Sequence, residues 1–141
     1  MKIKKEIILI SVIIICVVIL EVITSSITKK SVEKTTQELD KIVESVEEAL
    51  ILKENDLITE EFKENIKKEI KNFKDNWFNE QDKLSIFTEH DELEKVSSQL
   101  IILEENAKNE EYETALENSA EFKYWLNHFK QKEELVIKNV F

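Results

Sequence analysis

The chain contains no glycine and no proline. That double absence constrains the fold more than any motif does. Glycine and proline are the residues that break helices and form tight turns, so a chain without either favours helix throughout. It also narrows the chemistry. A phosphate-cradling loop or a nucleophile elbow needs glycine where backbone approaches a ligand or turns sharply, and neither can be built here. At 141 residues there is room for one domain and little else.

The basic residues are twenty lysines and no arginine, which removes the bidentate fork that usually reads phosphate or carboxylate. From Ser31 onward, 28 acidic residues stand against 15 lysines, a net charge of −13. A domain so acidic is expected to repel nucleic acid and anionic lipid headgroups. The single Cys16 closes no internal disulfide and lies within an apolar run, so it says little about redox compartment.

That run opens the chain: MKIKKEIILISVIIICVVILEVITSS. Residues 7–20 are apolar apart from Ser11 and Cys16, and Val22 and Ile23 extend them past Glu21. As a helix, 7–23 spans about 25 Å, the short end for a hydrocarbon core of about 30 Å. Each Ile, Leu or Val contributes about −0.3 to −0.6 kcal/mol to insertion, and twelve of them lie between Ile7 and Leu20. Glu21 sits at the edge, where it can reach the headgroups. Lys2, Lys4 and Lys5 precede the run, and the weaker pair Lys29 and Lys30 follows it. The positive-inside bias then places residues 1–6 in the cytoplasm, a transmembrane anchor at 7–27 and the acidic remainder outside. A cleaved signal peptide is the rival reading, but Thr24 and Ser26 are the best cleavage residues on offer. A lipoprotein would need a small residue before the cysteine, where Ile15 stands.

From Ser31 the pattern is helical almost without pause. Val32, Thr35, Leu39, Ile42, Val46 and Ala49 step by three and four, predicting a polar juxtamembrane helix within 28–56 that also serves in part as a stalk. A helical domain at 57–141 follows. Phe62, Ile66, Ile70, Phe73 and Trp77 form its first stripe, and Leu93, Val96, Leu100 and Leu103 its second. Tyr112, Ala115, Ser119, Phe122, Leu126 and Phe129 form its third. Turns are expected at Asn55–Asp56 and within Asn106 to Asn109. The apolar tail ELVIKNVF is expected to pack back on the domain. The fold class is therefore all-α: an N-terminal transmembrane helix followed by an antiparallel bundle of about four helices. The same stripes could also close as two stacked helical hairpins, and a long coiled coil is the further alternative, disfavoured by the breaks and by aromatics crowded on single faces.

One stretch invites a chemical reading. FTEHDEL, Phe87 to Leu93, sets a histidine among three carboxylates. Thr88 followed by Asp91 has the capping-box form, and Glu89, Asp91 and Glu92 would then line the first turn of a helix, where negative charge suits its dipole. The break between helices falls either here or earlier, near Asn79 to Asp82. A metal site would need ligands at helical spacing, yet Phe87 precedes His90 by three and Trp125 precedes His128 by three, where a di-iron bundle carries glutamate. The two histidines could still meet across the bundle. Trp77, Phe78, Tyr124 and Trp125 either line a ligand pocket or belong to the core. The residues suggest no catalytic set, no cofactor and no metal site.

Trp77 in a charged helix, LSIFTEHDEL from Leu84 to Leu93, and a terminus of Leu135, Asn139, Val140 and Phe141 resemble the domain of unknown function 4363 family. Its members occur in low-GC Gram-positive bacteria, carry an EHDEL-like stretch and end in Asn-Ile-Phe. The resemblance covers the anchor and about 62–141, and brings no known activity. It implies a bacterial cell-membrane setting and a structural signature of Trp77, Leu84, His90, Leu93, Asn139 and Phe141, with His90, Leu93 and the terminus in one tertiary feature. The functional expectation is an extracytoplasmic, membrane-anchored module that binds a protein partner in the membrane or envelope, not an enzyme. A ligand-sensing bundle is the alternative. Such sensors usually signal through a second membrane helix to a cytoplasmic output; this chain ends at Phe141 with neither, so it would act through a partner.

Overall fold

The computed structural model describes residues 2–86, 88 and 90–140, with side chains described for 4–86, 88 and 90–132. Four helices account for nearly all of them: α1 (Lys2–Glu54), α2 (Glu60–Leu84), α3 (His90–Lys108) and α4 (Tyr112–Val140). Among the described residues there is no strand. The protein is all-α.

Each helix packs on its neighbour in sequence, and α4 closes the ring against α1. Connections this short between long helices give antiparallel neighbours. The side-chain pairs show the register: Lys123 reaches Asp40 and Lys130 reaches Glu33, so α4 descends as α1 rises. The α1–α2 and α3–α4 connections therefore share one end of the bundle. The α2–α3 turn lies at the other, where α1 leaves it.

The anchor and the first bundle helix are a single α1. Residues 24–30, TSSITKK, hold no helix breaker, so the helix continues through them. The inward stripe expected for 28–56 is buried as strongly as those of the other helices: Leu39, Val46 and Ala49 are inaccessible, beside Ile70, Leu93, Leu100, Phe122 and Leu126. In contrast, Ile7 to Ile23 expose their large apolar side chains on every face. The α1 helix is long and apolar enough to cross a membrane, and its most apolar window is wholly unburied.

Without glycine, the two distal turns use charged residues in the left-handed region. Asp56 has φ 57° and Glu110 φ 61°. Around each, the backbone closes a Schellman motif. Leu57 N–H donates to Leu52 C=O (2.8 Å) and Asp56 N–H to Lys53 C=O (3.1 Å). Glu111 N–H donates to Asn106 C=O (2.8 Å) and Glu110 N–H to Ala107 C=O (3.2 Å). These bonds satisfy carbonyls that a helix end leaves open. The second turn thus takes the last of the expected residues, Asn109, together with Glu110. Asn106 lies inside α3 and its amide donates to Asn118 Oδ1 on α4 (2.6 Å).

Candidate functional site

The end of the bundle nearest the apolar half of α1 gathers most of the residues singled out by sequence. There α2 runs unbroken through 79–82 and stops at Leu84, so the break falls on the later of the two expected positions. Ser85 N–H donates to Gln81 C=O (2.8 Å) and its hydroxyl to Asp82 C=O (2.8 Å), closing the helix.

The capping box does not form. Helix α3 begins at His90, which leaves Thr88 one position too early for its oxygen to meet the first free N–H groups. Thr88 Oγ1 is instead buried, with no hydrogen-bond partner among the described residues. Asp91 and Glu92 do occupy the first turn, where the dipole favours them. The capping threonine is at α2: Thr59 Oγ1 accepts from Phe62 N–H (3.2 Å), with Glu60 and Glu61 following.

The signature residues divide by environment. Trp77, Leu84 and Leu93 are buried in the core. The indole of Trp77 stands edge-on to Phe122, ring centres 5.6 Å apart, and its Nε1–H donates to Ser97 Oγ (2.8 Å). Ser97 Oγ lies 2.8 Å from Gln81 Oε1 and 2.9 Å from Leu93 C=O, acceptors for its single proton. A buried polar edge on a large aromatic is thereby satisfied, which explains why a tryptophan suits this point. His90 is exposed on the first turn of α3, and no hydrogen bond to its ring is found among the described residues. The side chains of Leu135, Asn139, Val140 and Phe141 lie outside the described residues, and with them the expected packing of the tail; α4 itself continues as helix to Val140.

His128 is exposed on α4 beside Tyr124 and Trp125. Tyr124 is exposed, Trp125 is half-buried with Lys95 Nζ 5.3 Å above its ring, and Trp77 is in the core, so these aromatics do not line one pocket. An open groove of about 300 Å³ lies instead between α1 and α2. Glu38, Lys41, Ser45, Glu69, Asn72 and Asn76 rim it over Ile42 and Phe73. Among the described residues, no group of three or more His, Cys, Asp or Glu side chains could hold a metal ion.

Three carboxylates tie helices together. Glu80 accepts from Ser31 (3.0 Å), Lys34 (3.3 Å) and Lys83 (2.9 Å). Burial pushes its carboxyl up, but these donors outweigh burial and hold it below the usual range. Glu92, between Lys132 (3.5 Å) and Lys95 (3.4 Å), is lowered against burial in the same way. Glu104, buried on α3, is lowered too: its desolvation is outweighed by Lys74 of α2 and by Lys108. These partners were not legible in the sequence, where lysine and glutamate are too common for any pair to stand out.

No curated protein and no solved structure matches the chain. A family model does match, over residues 22–140, which takes in the bundle from the top of the apolar run onward. The chain belongs to the family described as Domain of unknown function (DUF4363).

Proposed function

We propose that the protein is a single-pass, membrane-anchored helical module whose bundle docks another protein of the membrane or cell envelope. The observation that carries this reading is the continuity of α1. One uninterrupted helix exposes apolar side chains on all faces over 7–23 and buries a stripe over 28–49, so bundle and anchor are joined without a flexible linker. A helix apolar all round suits lipid, and a striped one suits a protein core. Three lysines before the run favour a cytoplasmic N-terminus and a bundle outside. Exposed Ile101, Ile102 and Tyr124 offer apolar contact area on α3 and α4, and nothing glycine-dependent is available for catalysis.

Protease applied to intact protoplasts should remove the bundle and leave a small membrane fragment. Full protection would reverse the topology, and a mature N-terminus near Ser26 would remove the anchor. Mild detergent extraction should then co-purify a defined membrane or envelope protein. The groove between α1 and α2 favours the second reading, a ligand-sensing bundle acting through a partner. A small molecule retained through purification, and lost on Asn72→Leu, would favour that reading over the first.

A further inference from the structure

Two exposed apolar side chains stand where the bundle meets the apolar half of α1. Ile86, in the α2–α3 turn, is 74% exposed, and Ile27, on α1, is 37% exposed. The register of α1 and α2 gives their height. Ser31 Oγ bonds Glu80, and Ser31 is eight residues past Ile23, about 12 Å along the axis. From Glu80, α2 runs back toward the apolar segment and ends four residues later at Leu84, about 6 Å above Ile23. Ile27 is at the same height on α1, and the turn carrying Ile86 begins there. A bilayer's headgroup layer is about 5–7 Å deep on each side of its hydrocarbon. The turn therefore falls within it.

The charge distribution agrees. Residues 24–34, 80–95 and 128–141 carry eight lysines and nine acidic residues, net −1. Residues 35–79 and 96–127 carry nine lysines and nineteen acidic residues, net −10. The acidic bulk of the domain is thus held away from this end. Lys29, Lys30 and Lys83 are exposed at it, the last with 64% of its side chain free. An acidic domain rigidly mounted on a membrane helix avoids headgroup repulsion best when its nearly neutral end faces the lipid.

We propose that the α2–α3 turn is a membrane-contact surface, with Ile86 set into the headgroup layer of the bilayer that α1 crosses. The proposal rests on the anchor reading above and adds a second, surface contact to it. The bundle would then stand on the membrane at two points, fixing its tilt and presenting the distal turns outward.

The test uses the full chain in phosphatidylcholine vesicles, with and without phosphatidylglycerol. In a Cys16→Ser background, Ile86→Cys, Leu57→Cys and Val12→Cys each carry an environment-sensitive fluorophore. Leu57 is 66% exposed in the distal turn and serves as the water reference. Circular dichroism checks that each variant keeps its helix. The Ile86 probe should be quenched several-fold more by headgroup nitroxide lipids than the Leu57 probe, and less by aqueous iodide. The Val12 probe should respond to acyl-chain nitroxides. If the Ile86 probe behaves like the Leu57 probe while the Val12 probe stays in lipid, the surface contact is wrong and the anchor stands. If the Ile86 probe is shielded from both quenchers, and more so at high protein density, a second copy covers the turn and the lipid proposal fails. A Val12 probe quenched by iodide overturns the anchor itself.

Discussion

The two halves of α1 are built from one helix without a joint, and they obey opposite rules. In the first half, Ile7, Ile8, Leu9 and Ile10 point in four different directions and are all exposed. In the second, Val32, Leu39, Ile42 and Val46 share one face and are buried, while Glu33, Asp40 and Glu47 take the other. Both are helical throughout. What differs is the solvent each surface is written for, and the switch from an apolar cylinder to an apolar stripe occurs within about two turns, at Thr24 to Lys30.

The largest expected effect breaks that difference directly. Leu39 is inaccessible among the other helices, so Leu39→Asp buries an unpaired carboxylate and should cost about 4 kcal/mol or more, enough to unfold the bundle. Ile14→Asp makes the same chemical change on the same helix. It should leave the thermal midpoint of the detergent-solubilised bundle unchanged and weaken insertion by about 3–4 kcal/mol. Thermal melts and membrane partitioning of the two variants separate the halves. Equal loss of thermal stability would mean that the first half is also packed against protein.

Acid should act on the bundle and leave the apolar half of α1 untouched. Glu80, Glu92 and Glu104 are all lowered in the folded state, so each contributes stability that is present above the unfolded carboxylate pKa and lost as pH falls through the folded value. The midpoint should be flat near neutrality and fall once pH drops below the usual carboxylate range. Glu104→Gln removes one such group at a cost of about 1–3 kcal/mol at neutral pH, and the variant's acid limb should be shallower. The span 7–20 contains no acidic or basic residue, so membrane partitioning should not follow the same curve.

The stripes, the number of helices and the burial of Trp77 and Leu93 were legible in the sequence because periodicity reports burial and the burial is strong; Leu84 falls in no stripe and was singled out by the family resemblance alone. The union of anchor and first helix was harder to read. Nothing between Ile23 and Val32 is apolar enough to continue either pattern except Ile27, so the stretch looks like a boundary although no residue in it stops a helix. Thr28 and Ser31 are buried there as small polar residues, which an apolar stripe does not announce. FTEHDEL misled for a different reason. The capping pattern depends on where the helix starts to within one residue, and Leu84 ending α2 by main-chain and Ser85 hydrogen bonds placed that start at His90.

A core residue away from α1 gives a smaller effect and a control. Trp77→Phe keeps an aromatic ring against Phe122 but deletes the Nε1–H donor to Ser97 and part of the ring volume. Ser97 Oγ loses its donor but keeps its own proton on Gln81 Oε1 or Leu93 C=O, so it stays hydrogen-bonded, and a loss of about 1–2 kcal/mol is expected. Ser97→Ala in the Trp77→Phe background should then cost less than Ser97→Ala alone. A double-mutant cycle measures the difference, and strict additivity would mean the bond carries no stability.

The smallest expected effect is a gain, at the far end of α1. Asp56 holds φ 57° because the Schellman turn requires a left-handed residue and the chain has no glycine to put there. Aspartate tolerates that region better than most residues, so the relief from Asp56→Gly is partly offset by the extra freedom glycine brings to the unfolded chain. A net gain of about 0.5 kcal/mol is expected, a rise in midpoint of about 2 °C. Asp56→Val should move the other way by more, since a β-branched residue is poorly accommodated at positive φ. The same exchange at Glu110 is a less clean probe, because Glu110→Gly also removes the ion pair to Lys63 (3.0 Å). If Asp56→Gly lowered the midpoint and Asp56→Val did not, the turn would not be left-handed in solution. The second half of α1 would then have to end by some other geometry than the one that sets the register of α2 against it.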